Sequence, residues 1–179
     1  MNNNNLFLIL GNQLFNPIRY LKDFKNCDFL MMEDFGLCSF YRHHKLKILL
    51  TLSSMRSYKD ELISLGYNVI YKGIEENEFK ENYVVKLKKI IKTNNYSKLV
   101  MFEIEDKFFE NEIKKLSKFI ELDFISSPMF LYKRKEFSDF LGNNKPLMGN
   151  FYKFSRIKQN ILIKENKPIG GKWSFDEEN

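Results

Sequence analysis

Cysteine is nearly missing from this chain: Cys27 and Cys38 are the only two. Two thiols cannot build a disulfide framework or supply a four-cysteine iron–sulfur cluster, and no zinc-ligand spacing surrounds them. They read as buried thiols of a reducing compartment. Histidine is as scarce. His43 and His44 stand side by side, so on a helix they diverge by about 100° and cannot chelate one metal as an i, i+4 pair does. No run of about 18 apolar residues exists, so no membrane span is expected. The opening MNNNNLFLIL has no basic region and no small-residue cleavage site. It is not read as a secretory signal, a cytoplasmic location is expected, and Asn2–Asn5 are expected to form a floppy cap. Arginine is confined to Arg19, Arg42, Arg56, Arg134 and Arg156, and the lysines are interleaved with Glu and Asp. The net charge of +6 therefore reads as a solvated face, with no specific DNA binding expected of this chain alone. There is no GxGxxG fingerprint, no P-loop and no Gly-x-Ser-x-Gly elbow, and no Ser–His–Asp or Cys–His arrangement can be placed.

What is present is enough apolar material for a core, 44% of 179 residues. LFLIL (6–10), DFLMM (28–32), NVIYK (68–72), KLVMFEI (98–104) and DFIS (123–126) read as strands. Helical periodicity fills the intervals at about 42–65, 81–95 and 106–120, the first closed by Gly66. Strands separated by helices predict an α/β fold, a Rossmann-like five-stranded parallel sheet with helices on both faces, over residues 1–130. Residues 131–179 differ. They are expected to hold two helices, 132–142 and 149–163, followed by an extended linker in KENKPIGGKWSFDEEN. That linker carries Trp173 and Phe175, large aromatics that usually dock onto something.

On the long helix His44, Ile48, Thr51, Met55, Tyr58 and Leu62 share one stripe. His44 and Thr51 are its polar members, in the early turns. A helix of a parallel α/β unit starts at the carboxyl edge of the sheet, where ligands bind at the switch in strand order. His44 is thus expected to face a cleft near the GNQLF turn, with His43 flanking it. The alternative is a core histidine bonded to a carbonyl, with Thr51 bonding back to its own helix. Leu46, Leu49, Leu50 and Leu52 spread over the other faces, which predicts a helix covered on more than one side. At the strand ends, Asn12 and Gln13 suit hydrogen bonding to a planar heterocycle or an Asx-type turn. Glu33 and Asp34 follow the second strand, and Glu103, Glu105 and Asp106 the fourth. Acids there can meet a sugar-like hydroxyl, cap a helix or face water.

LILGNQL, YRHHKLKILLTLSSMR, PMFLYKRKEF, KPLMGNFYKFSRIK and KPIGGKWSFDEEN, in this order and spacing, resemble the N-terminal domain of the deoxyribodipyrimidine photolyase-related proteins, the iron–sulfur bacterial cryptochromes and photolyases. The resemblance spans essentially the whole chain. It implies that residues 1–130 form a photolyase-type antenna domain for 6,7-dimethyl-8-ribityllumazine. It also implies that residues 131–179 lead toward a helical FAD-binding domain that these residues do not contain. FAD and the iron–sulfur cluster are accordingly not expected here, and no catalytic residue can be carried over. Excitation would pass to a flavin on a separately encoded or missing domain, in DNA photorepair or light sensing. By the resemblance the antenna pocket is lined near Gly11, Asn12, Gln13, Glu33, Phe40, His44, Ile48 and Thr51. Asn12 stands where relatives usually have Asp, Leu37 where some have Glu, and Phe40 where some have Tyr. The rival functions are a nucleotide or small-ligand module without photochemistry, a truncated non-functional product, and an enzyme using Glu33 or His44 as an acid–base group. An exposed apolar face is expected to drive self-association or to receive the flavin-bearing domain.

Overall fold

LFLIL is apolar at every position because both faces of its strand are covered. The computed structural model describes residues 4–175. In it β1 (Asn5–Leu8) is the central strand of a five-stranded sheet of order β3-β2-β1-β4-β5. The other strands are β2 (Cys27–Met32), β3 (Asn68–Lys72), β4 (Lys98–Phe102) and β5 (Glu121–Ile125), and every pairing is parallel. The α/β, Rossmann-like expectation holds. Phe7 lies opposite Phe29 on one side and Val100 on the other. Strand alternation sends Phe7 and Ile9 to the face covered by α3 (Lys45–Ser64), against Met55, Tyr58 and Leu62. Leu6 and Leu8 go to the opposite face, against Leu87 and Ile91 of α4 (Tyr83–Asn94) and Ile113 of α5 (Lys107–Lys114). Each fully buried side chain of this kind contributes roughly 1.5–3 kcal/mol. The chain builds outward from β1 to β3, then returns to the far side of β1 for β4 and β5. The order therefore reverses between β1 and β4.

Local chemistry sets the boundaries. Gly66 follows α3 at φ +83°, a conformation in which a Cβ is strained. Its N–H bonds Ile63 O and the Tyr67 N–H bonds Leu62 O, a Schellman ending. Asn82 caps the start of α4 and Asn95 adopts the left-handed conformation at its end. Several expectations are corrected. The long helix begins at Lys45, not at 42, and α5 gives way to a 3-10 turn at Lys115–Lys118. The short helices α1 (Pro17–Tyr20) and α2 (Phe35–Ser39) were not anticipated. Of the expected Asn2–Asn5 cap, Asn2 and Asn3 lie outside the described residues, while Asn5 opens β1.

The chain divides into two compact units, Met1–Phe130 and Leu131–Asn179. The second contains α6 (Arg134–Leu141), α7 (Met148–Gln159) and a small hairpin, β6 (Ile163–Lys164) and β7 (Lys167–Pro168). The hairpin takes up the start of the expected extended linker, of which residues 176–179 lie outside the described residues. Glu165 and Asn166 both have positive φ, as a two-residue type I′ turn requires. Tyr132, Phe137, Phe140, Phe151 and Phe154 pack ring against ring between α6 and α7. Buried Arg156 donates to the carbonyls of Ile161, Leu162 and Trp173, with its guanidinium over the rings of Tyr152 and Trp173. No described helix is long and apolar enough to cross a membrane.

Candidate functional site

Glu33 and Asp34 are consecutive at the end of β2, so strand alternation aims them at opposite faces. Glu33, with a side chain 0% exposed, turns to α3. Arg56 Nε lies 2.7 Å from its Oε1 and Arg56 Nη2 2.9 Å from its Oε2. The Tyr71 hydroxyl donates to Oε1 at 2.6 Å and the Ile74 N–H to Oε2 at 2.8 Å. Burial alone would push this carboxyl up, but the donors from Arg56, Tyr71 and Ile74 together hold it below the usual carboxylate range. Four donors fill the acceptor capacity of a carboxylate. Glu33 is thus a structural anchor with nothing left to offer a ligand, and its lowered pKa does not suit a general base near neutrality. Asp34 turns to the α4 face. Its Oδ2 lies 2.6 Å from buried Lys86 Nζ, and its Oδ1 accepts the Leu37 N–H at 2.8 Å, capping α2.

Between β1 and β4 a polar cluster forms at the reversal of strand order. Gln13 is 0% exposed. Its Nε2 donates to Glu103 O at 2.9 Å and to Glu105 Oε2 at 3.2 Å. Asn12 Nδ2 approaches the same Oε2 at 3.4 Å, and Ser127 Oγ donates to Glu105 Oε1 at 2.9 Å. Side chains from the ends of β1, β4 and β5 thus converge on one half-buried carboxylate. Glu105 has no cationic partner among the described residues. Gln13 Oε1 is buried and has no donor. Glu105 was among the strand-end acids singled out in the sequence. Ser127 carried no sequence signal, because only the fold brings the end of β5 beside the end of β4.

The early turns of α3 differ from expectation. His44 is exposed and sits before the helix, with extended backbone at φ −63° and ψ 136°. Its Nδ1 accepts the Leu46 N–H at 3.2 Å, so it is the N-cap. The expectation of a buried stripe running through His44 is corrected: helical angles do not extend past the cap, and only Met55, Tyr58 and Leu62 are buried. Thr51 is half-buried and its hydroxyl donates to Lys47 O at 2.9 Å, the back-bonding alternative. It nevertheless adjoins the β1 turn, since a Cβ placed on Gly11 would lie 3.3 Å from Thr51 Cγ2 and 2.8 Å from Met55 Sδ. Ile48 is half-buried and Phe40 is 71% exposed. The fold therefore brings Gly11 to Thr51, and Asn12 and Gln13 to Glu105, while Glu33 belongs to a separate network. Leu46, Leu49, Leu50, Phe40 and Tyr41 are exposed around the helix start. Arg42, Lys45 and Lys47 accompany them, and no acidic residue occurs from 35 to 59.

A cavity of about 380 Å3 lies between β3 and α4, lined in part by Ile70, Lys72, Lys86 and Lys89. Glu33 is the only sequence-selected site residue on its wall. Among the described residues no group of three or more His, Cys, Asp or Glu side chains could hold a metal ion.

A (6-4) photolyase of Agrobacterium fabrum is 31% identical over 179 residues, covering 97% of this chain and 35% of that protein. The chain thus spans about a third of that relative's length. An uncharacterized protein of Acanthamoeba polyphaga mimivirus is 31% identical over 191 residues, covering 98% of this chain and 93% of that protein. Residues 7–179 match the family described as deoxyribodipyrimidine photo-lyase-related protein, and to that family the chain belongs.

Proposed function

We propose that this α/β unit is the light-harvesting part of a photolyase-type assembly, holding a ribityllumazine-class chromophore at the carboxyl edge of its sheet. The observation that carries the reading is the convergence of Asn12, Gln13, Glu105 and Ser127 where the strand order reverses, in a chain of the photolyase-related family. Ligands of open α/β sheets bind in that crevice. The residues fit such a guest. Gln13 Oε1 is a buried acceptor in want of a donor, and Gly11 lets the β1 turn approach Thr51 of α3. When bound, the chromophore supplies absorption of light and transfer of excitation to a flavin. The chain's own residues hold and orient it and form or break no bond. The flavin belongs to a helical domain that docks on the exposed apolar and cationic start of α3.

Incubation with 6,7-dimethyl-8-ribityllumazine followed by gel filtration tests this reading. Chromophore absorbance should co-elute with the protein near one equivalent, and its loss from the protein peak would refute the proposal. Thr51→Trp should abolish co-elution while leaving the far-ultraviolet circular dichroism unchanged.

A further inference from the structure

The cavity between β3 and α4 stands apart from the reversal of strand order, because β3 is the edge strand of the sheet and β2 separates it from β1. α4 gives Leu87 and Ile91 to the centre of the sheet. Lys86, Ile90 and Thr93, at steps of four and three, form the neighbouring stripe of α4 and flank β3. At about 380 Å3 the cavity falls within the roughly 300–1,000 Å3 of small-ligand sites.

Its wall is apolar and its rim is charged. Ile70 of β3, Ile90 of α4 and Phe79, carried by the 3-10 turn Asn77–Lys80, are half-buried on the wall. Three of the charged residues are committed to the fold. Glu33 already accepts four hydrogen bonds. Buried Lys86 lies 2.6 Å from Asp34 and also donates to the carbonyls of Glu33 and Phe79, each 3.4 Å away. Lys89 is held by both oxygens of Glu81 at 2.8 Å.

Two others keep capacity for a guest. Lys72 makes one contact, 3.3 Å to Glu76, with its side chain 38% exposed, so its ammonium has donors to spare. Exposed Glu78 pairs with no cation among the described residues. A ligand of one charge meets a like charge on this rim. An anion drawn to Lys72 faces Glu76 and Glu78, and a cation drawn to Glu78 faces Lys72 and Lys89. A molecule that carries both charges and an apolar body satisfies Lys72, Glu78 and the wall together.

We infer that the β3–α4 cavity is a ligand site of its own, for a free α-amino acid with a large apolar side chain. The ligand carboxylate accepts from Lys72, its ammonium donates to Glu78, and its side chain lies against Ile70, Phe79 and Ile90. The site performs no chemistry and is independent of chromophore binding.

Saturation-transfer NMR titrations of the full chain with L-phenylalanine, 3-phenylpropanoate, 2-phenylethylamine and glycine test this. Phenylalanine should bind about tenfold more tightly than either analogue bearing one charge, and glycine, which lacks the apolar body, should show no transfer. Glu78→Gln should lower phenylalanine to the affinity of 3-phenylpropanoate without weakening 3-phenylpropanoate itself. Lys72→Gln should lower it to the affinity of 2-phenylethylamine. Both side chains reach solvent, so the circular dichroism of the variants should match wild type. Phenylalanine bound no more tightly than either analogue, no binding at millimolar concentration, or unaltered affinity in both variants overturns the inference. Added 6,7-dimethyl-8-ribityllumazine should leave phenylalanine binding unchanged; competition between them places phenylalanine at the chromophore site and overturns the inference while leaving chromophore binding standing.

Discussion

Replacing Glu33 with glutamine removes one charge and changes almost nothing in shape, so it isolates what the buried carboxylate does. Glu33 accepts four hydrogen bonds, from Arg56 twice, Tyr71 and Ile74. A glutamine oxygen can take two of them; its NH2 then opposes the remaining donors. Two bonds to a charged acceptor are lost, at roughly 1.5–3 kcal/mol each. Arg56 is 46% exposed, so water recovers part of its share. The net cost is about 2–4 kcal/mol at pH 7. At roughly 2–4 °C per kcal/mol this lowers the melting temperature by about 5–15 °C, read by circular dichroism at the helix band. The sign with pH follows from the lowered carboxyl pKa. A depressed group stabilises above its unfolded value, about 4.3, and that stability fades as pH falls through the folded value. The deficit of Glu33→Gln should therefore be largest near neutrality and shrink below about pH 4. A variant within about 0.5 kcal/mol of wild type at pH 7 would refute the anchoring role, since a surface site behaves that way. A deficit that persists unchanged in acid would refute the electrostatic account.

Lys86→Met should cost about 3–5 kcal/mol in urea unfolding, because it leaves Asp34 charged and buried; the double variant Lys86→Met/Asp34→Asn should recover part of that loss, and strict additivity would argue against the pair. Gly11→Ala should destabilise by about 1–3 kcal/mol through overpacking on Met55, and Met55→Val in the same chain should offset some of it; a neutral Gly11→Ala would mean that the turn moves freely away from α3. His44→Asp should keep or raise the melting temperature, since aspartate is a stronger N-cap than histidine, while His44→Ala should lower stability by about 1 kcal/mol; equal melting temperatures for the two variants would remove His44 from the cap.

The sheet was legible because its signal is short range. LFLIL, FLMM (29–32) and LVMF (99–102) are apolar at consecutive positions, and a strand buried on both faces needs that pattern whatever surrounds it. Gly66 announces a helix end for an equally local reason. The early part of α3 was misread because a helical wheel assumes a helix: His44 lies one residue before it and spends its ring on the cap. Glu33 was correctly placed at a strand end, but its employment by Arg56 depends on α3 crossing the sheet with the right axial offset, which sequence spacing does not encode. Ser127 was invisible for a similar reason, its meeting with Glu105 being set by the pairing of β4 with β5. The short helices α1 and α2 escaped notice because four or five residues carry too little periodicity.

Trp173, the single tryptophan, sits in the smaller unit against the Arg156 guanidinium. Indole fluorescence of this protein therefore reports from the smaller unit. The sheet unit carries no tryptophan, so indole emission follows the smaller unit while far-ultraviolet dichroism sums the helices and strands of both, in one sample without labels. A denaturation curve by emission and one by far-ultraviolet dichroism would coincide if the units melt together and part company if each melts by itself.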